Sequence, residues 1–325
     1  MGTTMKSAIA LFIFVVGIVA SATTAAQPYP SKPIRIITGT ATGAPNDVRV
    51  RQVAQKITES TSQPVVVDNR PGANGAIGAR LAARSAPDGY TLYSCTNNDM
   101  MNDMLNPDPS ARLGRELVFI TRLTAGPLIL VVHPSIPATS LKEFIDLAKA
   151  KPGGLNYASG GPGSLNQLLG ELIKAKAGIQ IVAVPYKSTG AEIPDLLGGH
   201  INATVNYYQL IVAHTSSGKL RALAVADGKR LAVAPALVTM GEAGLPGVEA
   251  TGWNGICAPA GVPQNVTAFL YQEVVKALSD RAIRDQMIST GANVGGERPE
   301  EFAAFMRAEF AKWSKVIKDA GISIQ

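Results

Sequence analysis

The chain is poor in the residues that most chemistry needs. Its 325 residues include 2 cysteines and 3 histidines, and only 17% are charged. His133, His200 and His214 do not pair with another His, Cys or acid at metal-ligand spacing, so they mark no metal site and read as surface or structural imidazoles. No G-x-S-x-G nucleophile elbow occurs, and no G-x-x-x-x-G-K-S/T phosphate loop. Gly39-x-x-x-Gly43 is not the G-x-G-x-x-G dinucleotide fingerprint. Lys/Arg runs and aromatic-studded basic stripes are missing too, which sets nucleic acid aside as a partner. The expectation is a protein without cofactor, metal or catalytic centre, one that holds a ligand and does no chemistry on it. The alternative kept open at this point is an exported hydrolase with dispersed catalytic residues.

The export segment is what the chain has in their place. Lys6 supplies a positive start, Ala8–Ala20 an apolar stretch too short to span a membrane comfortably, and Ser21–Ala26 small residues for cleavage after Ala26. No cysteine near that point offers a lipid anchor, and no later segment reads as a transmembrane helix. The expected location is the periplasm. Loss of Lys6 takes the formal charge from +6 to +5, a mild positive field that suits anionic solutes. Cys95 and Cys257 would be either bridged in an oxidising compartment or two buried thiols.

Beyond residue 26 the chain alternates strand and helix, in a length sufficient for two domains. Apolar strands are expected at Ile34–Thr38, Val65–Asp68, Thr91–Cys95, Leu128–Val132, Asn156–Ala158, Ile181–Pro185, Ala203–Asn206 and Leu220–Val225. Val50, Val53, Ala54 and Ile57 recur at helical spacing, and another helix runs through Ile77 and Leu81. Capping boxes at Ser140–Glu143, Ser164–Gln167 and Thr189–Glu192 open three helices. Gly255–Ala258 begins a return segment, Pro263 starts a long helix, and Pro299 starts an amphipathic one through Phe302, Phe305, Phe310 and Trp313. Repeated βα units predict an α/β fold with doubly wound, mainly parallel sheets, in which ligands bind at the carboxyl ends of strands. Two glycine-rich turns fall at that position: Thr38-Gly39-Thr40-Ala41-Thr42-Gly43-Ala44-Pro45-Asn46-Asp47 and Ala158-Ser159-Gly160-Gly161-Pro162-Gly163-Ser164-Leu165-Asn166. Each presents backbone N–H groups at a helix start, a place suited to an anion.

Several stretches carry a resemblance to a known family. They include Tyr29-Pro30-Ser31-Lys32-Pro33-Ile34-Arg35, Pro64–Gly75, Ala86–Leu92, Leu155–Ser159, Val184–Lys187, Asp195–His200, Lys219–Val225, Glu242–Gly247 and Pro299–Phe302. In this order they resemble the periplasmic solute receptors of tripartite tricarboxylate transporters, the Bug family. The resemblance covers essentially the whole chain after the export segment. It implies a two-domain periplasmic binding protein, a type II-like flytrap joined by crossing strands. Residues 27–128 and 250–325 would form the first domain and residues 129–249 the second. It further implies a monomer that captures a small carboxylate and delivers it to the membrane permease subunits. A ligand sensor feeding a signalling partner is the other receptor reading.

Carried over, the resemblance maps the ligand clamp to Thr38–Asp47 and Ser159–Asn166. The family often has an aromatic-Ala-Pro-Gly-Gly-Ala-Thr-Asp sequence in the first turn. Here Thr40 stands at the aromatic position and Thr42 at the proline, which predicts a more polar wall. Gly43, Gly161 and Gly163 either bring N–H groups to a carboxylate or serve as turn glycines. Thr40, Thr42, Ser159 and Ser164 are candidate hydroxyl donors, with Ser164 also capping its helix. Asp47 is either a helix cap or the partner of a ligand amine. Asn166, Thr96 and Asn97 stand at element ends, as ligand contacts or solvated groups. Tyr186, Lys187, Asn206, Tyr207 and Tyr208 follow strands in the same way, with Lys187 either a counter-ion or a solvated lysine. The family often carries an acid near position 206, and the neutral Asn206 would repel an anion less. Arg70 reads as a structural ion-pair or surface residue.

Overall fold

A computed structural model describes residues 29–105, 112–161, 163–186 and 190–319. The export segment with its cleavage point, Pro162, Lys187 and the Thr189 of the third capping box lie outside the described residues. The chain begins with β1 (Ile34–Thr38), α1 (Pro45–Thr61), β2 (Val65–Asn69), α2 (Ala76–Ala83), β3 (Thr91–Thr96) and α3 (Asn97–Leu105). A long strand, β4 (Leu117–Val132), leads into α4 (Leu141–Ala150), β5 (Asn156–Ser159), α5 (Leu165–Ala177), β6 (Val182–Pro185) and α6 (Ile193–Leu197). Then come β7 (Ala203–Tyr207), α7 (Tyr208–Ser216) and β8 (Arg221–Val225). The chain returns through β9 (Thr251–Pro259), α8 (Gln264–Ser279), α9 (Arg281–Ser289), β10 (Asn293–Val294) and α10 (Pro299–Asp319).

The strands form one path, β2-β1-β3-β9-β4-β7-β5-β6, with β8 and β10 also on β4. In its first half β1 lies between β2 and β3 and is parallel to both. In its second half β5 lies between β6 and β7 and is parallel to both. Each is a topological switch point, where the connections leave to opposite sides and open a crevice at the strand's carboxyl end. The sheet as a whole is mixed, not mainly parallel. The reason is the crossing: β4 and β9 carry the chain from one half to the other and run antiparallel to the strands they join. A sequence reading of local βα units sees the winding inside each half but not the strands between them.

The crossing is narrow. β4 pairs with β9 as far as Pro127 and with β7 from Leu128 onward. At that step three buried residues close a ring of backbone hydrogen bonds. Leu128 N donates to Ala250 O (3.1 Å), Ala250 N to Ala226 O (2.9 Å), and Ala226 N to Leu128 O (2.8 Å). Leu128 and Ala250, where the chain passes between the halves, are thus tied to each other and to Ala226 just after β8, with no backbone group of the ring left to water.

Local sequence explains the elements that flank the cleft. Pro45 starts α1 with its φ already helical and no N–H to satisfy. Asp47 is not the N-cap. It sits in the first turn and reaches back to accept from Gly43 N at 2.8 Å. Val50, Val53, Ala54 and Ile57 are buried as their spacing predicts. Ser140 and Ser164 cap their helices by accepting from Glu143 N and Gln167 N. Ile77 and Leu81 lie on α2 but face outward; its buried residues are Gly78, Ala79 and Ala82. Phe302, Met306 and Trp313 bury α10 in the core. Arg70 pairs with Asp68 at 3.0 Å, beside the ion pair of Arg35 with the same carboxylate.

Cys95 on β3 and Cys257 on β9 are joined in a disulfide, their Cα atoms 6.0 Å apart, which settles the choice left open by the sequence. The bond staples the return strand to the N-terminal sheet across a separation of 162 residues. A loop of that length restricts the unfolded chain strongly, and its removal is worth about 3–5 kcal/mol. The double variant Cys95→Ala/Cys257→Ala should therefore melt several degrees below wild type in a calorimetric scan; an unchanged melting temperature would show that the bridge contributes nothing.

Candidate functional site

The turn after β1 and the turn after β5 face each other across the crossing, and the space between them is a cavity of about 720 Å³. That volume lies within the range of small-molecule sites. The first half supplies Gly39–Asn46, the Pro71–Gly75 turn, Thr96–Asn98 and Gly252–Asn254. The second half supplies Gly160, Gly190, Ala191 and Tyr207–Leu210. Close packing at the rim depends on small residues. A Cβ on Gly39 would lie 2.6 Å from the Cα of Gly75, and one on Gly252 would lie 2.2 Å from the ring of Tyr207. Glycine is required at both for the backbones and the tyrosine to approach.

Beneath the first turn runs a chain of buried polar side chains. Thr124 Oγ1 donates to Asn254 Oδ1, and Asn254 Nδ2 to Asn46 Oδ1. Ser94 Oγ also donates to Asn46 Oδ1 (3.0 Å), and Asn46 Nδ2 donates to Thr38 Oγ1 (3.1 Å). This ties β4, β9, β3, α1 and β1 together under the cleft. The order of donors also fixes the last link. Thr38 Oγ1 already accepts from Asn46 Nδ2 and from Thr40 N, so its own proton goes to Thr40 Oγ1, 2.8 Å away. The hydroxyl proton of Thr40, on the cavity wall, is left for whatever occupies the cavity.

Two carboxylates lie just behind the wall. Asp99 is buried and accepts from Tyr93 Oη (2.7 Å), Thr96 N (2.7 Å) and Thr96 Oγ1 (3.0 Å). Desolvation pushes its pKa up to about 6 against these hydrogen bonds. Glu192, read from sequence as the acid of a capping box, is buried. It accepts from Gly190 N (2.8 Å), Thr204 Oγ1 (3.3 Å) and Asn206 Nδ2. Burial raises its pKa too. It anchors the Gly190–Ala191 segment to β7.

The cavity wall carries one charged side chain among the described residues, Arg49 of α1. Burial lowers its pKa, the direction expected for a cation removed from water. Its Nη2 donates to Gln209 Oε1 of α7, across the cleft. Tyr207 Oη of the second half and the Asn97 amide of the first are 3.3 Å apart, a second hydrogen bond across it.

Of the residues singled out from sequence, Thr40, Thr42, Gly43, Thr96, Asn97, Tyr207 and Tyr208 lie on the wall. Asp47 does not. Its carboxylate is held by Gly43 N, Arg51 and Asn69, which leaves no place for a ligand amine. Ser159, Gly161, Gly163, Ser164 and Asn166 of the second turn do not line the cavity; among the described residues of that turn Gly160 reaches it. There Gly163 N donates to Gln167 Oε1 (2.7 Å), Ser164 caps α5, and Asn166 Nδ2 donates to Val205 O. Tyr186 turns its hydroxyl to Asp195 (2.6 Å), and the Asn206 amide is spent on Glu192 and on Tyr207 N. Sequence reasoning missed Arg49, Gln209, the Pro71–Gly75 turn and Gly190–Ala191. Arg49 interrupts the exposed face of an amphipathic helix, where a charge is unremarkable. The Pro-Gly-Ala-Asn-Gly string was a signal, since a turn of such residues beside a switch point has few other uses.

Comparison with known proteins points one way. A family model described as tripartite tricarboxylate transporter family receptor matches residues 49–322. The chain is 33% identical to BugT of Bordetella pertussis over 325 residues, covering 99% of each. It is similar to an R. palustris protein solved with adipate, with TM-score 0.85 and 30% identity over 91% of this chain and 99% of that one. The periplasmic binding protein BugD has TM-score 0.83 and 28% identity, over 91% of this chain and all of its own. The family is one of receptors and not of enzymes, which removes the hydrolase alternative.

Asp99 generates a pH test. Its pKa is raised on folding, so between about 4 and 6 the folded chain binds the extra proton. The stability this group contributes is full below about 4 and is lost as the pH rises through 6. Asp99→Asn keeps the geometry, because an amide N–H can donate to Tyr93 Oη while Tyr93 donates onward to Gly75 O. In urea unfolding from pH 4.5 to 7.5, the variant should lose less stability than wild type over that interval; equal losses would contradict the assignment.

Proposed function

The chain belongs to the tripartite tricarboxylate transporter receptor family, and we propose that it captures a small carboxylate between its two halves for delivery to the transporter's membrane permease. The observation that carries this reading is the facing pair of switch-point turns on one cavity, whose one charged wall residue is a cation. Residues 27–128 with 250–325 act as one lobe and residues 129–249 as the other, hinged at the Leu128–Ala226–Ala250 ring. The carboxylate accepts hydrogen bonds from the Thr40 hydroxyl and from the backbone N–H of Thr42 just ahead of α1, while the Gly43 N–H, already given to Asp47, holds the turn in shape. Gly160 meets it from the second lobe, with Thr96 and Tyr207 closing the sides. Ser159, Gly161, Gly163, Ser164 and Asn166 shape the second turn, and Tyr186 and Asn206 brace it.

The energetics suit a receptor. Hydrogen bonds to a charged carboxylate contribute about 1.5–3 kcal/mol each, and micromolar affinity needs about 8 kcal/mol. Only the closed arrangement offers donors from both lobes at once, so binding shifts the population toward closure. The permease then recognises the closed surface. Receptors of this family are periplasmic, and in this chain cleavage after Ala26 releases the mature protein. The adipate in the structure of the similar R. palustris protein supports a carboxylate ligand here.

A thermal-shift screen of mono- and dicarboxylates on the mature protein tests the reading. A ligand at a hundred times its dissociation constant adds about 2.7 kcal/mol, a rise of about 4 °C for a chain of this size. A set in which no carboxylate moves the transition would overturn it.

A further inference from the structure

We propose that Arg49 is the specificity-determining residue of the cleft, receiving a second carboxylate, so that the ligand is a dicarboxylate. This rests on the reading that the cleft holds a carboxylate, and it adds where the other end of the ligand goes. Arg49 stands one turn into α1, four residues past Pro45 and so about 6 Å farther along the helix axis. It is therefore displaced from the anion position at the helix start. Two to four methylene groups separate the carboxyl carbons of a short diacid by about 4–6 Å, a span of the same order.

The guanidinium is also left wanting an anion. Gln209 Oε1 accepts from Nη2, and no carboxylate among the described residues pairs with Arg49. Asp47, the nearest acid in sequence, is bound to Arg51. Asp99 and Glu192 are turned into their own hydrogen bonds behind the wall. A guanidinium has five N–H donors in a planar fork matched to a carboxylate, and one amide oxygen cannot occupy them. A half-buried cation without a counter-ion is an expense to the empty protein that an arriving carboxylate removes. Because Gln209 belongs to the second lobe, a carboxylate seated on Arg49 lies against α7 as well. The second carboxylate thus adds to closure and not only to affinity.

Calorimetric titration of the mature protein with succinate, glutarate and adipate, each beside its half-amide, decides the matter when repeated on Arg49→Gln. The half-amide keeps the shape and removes one charge. Wild type should prefer the best diacid over its half-amide by at least about tenfold. Arg49→Gln, with a wild-type melting temperature, should lose that preference while binding the half-amide within about threefold of wild type. A diacid preference that survives in Arg49→Gln would overturn the proposal, as would a wild type indifferent to the second charge. An equal loss of diacid and half-amide binding would place Arg49 on the single carboxylate and overturn it too. Failure of every acid to bind wild type is a different result and sinks the carboxylate reading itself.

Discussion

The ring of backbone hydrogen bonds among Leu128, Ala226 and Ala250 is the constraint on which the cleft depends. It fixes the two chain passages, at Leu128 and Ala250, to the end of β8 at one point, so two sheets of separate winding become one path with two switch points. The turn after β1 and the turn after β5 then have to face each other. Either turn alone would be an ordinary helix start with some affinity for anions. Held opposite one another, they enclose a volume whose wall has donors on both sides.

In the first half the polar side chains under the cavity are ordered by their hydrogen bonds. Asn46 is the centre of that order. Its oxygen accepts from Ser94 and Asn254, its nitrogen donates to Thr38, and the direction set there leaves the Thr40 proton for the cavity. The second half is braced differently, by a buried carboxylate, Glu192, that holds the Gly190–Ala191 segment and Asn206. Both halves thus have their wall segments fixed from behind. Arg49 and Tyr207 reach between them.

Elements with a strong local signature were legible in the sequence. The α1 face of Val50, Val53, Ala54 and Ile57, the Ser140 and Ser164 caps and the proline starts of α8 and α10 follow from spacing and capping alone. Both glycine turns were placed at strand–helix junctions for the same reason. What sequence could not give is whatever depends on contacts between distant segments. The antiparallel run of β9 through the sheet, the pairing of Cys95 with Cys257, and the reach of Arg49 to Gln209 join residues more than about 120 positions apart. The residues that lie off the cavity wall have the same origin. Glu192 looked like a cap because Asn206 and Thr204 are remote in sequence. Ser159 and Asn166 looked like ligand contacts because the backbone path that turns them inward is set by β7.

The central claim is that one carboxylate ligand bridges the two halves through the turns after β1 and β5. A crystal structure of the mature protein with the tightest carboxylate from a binding screen tests it most directly. The account predicts a carboxylate within hydrogen-bond distance of Thr40 Oγ1 and the start of α1 on one side and of the Gly160 segment on the other. A ligand that touches only one half, or that sits outside the cavity, would contradict it.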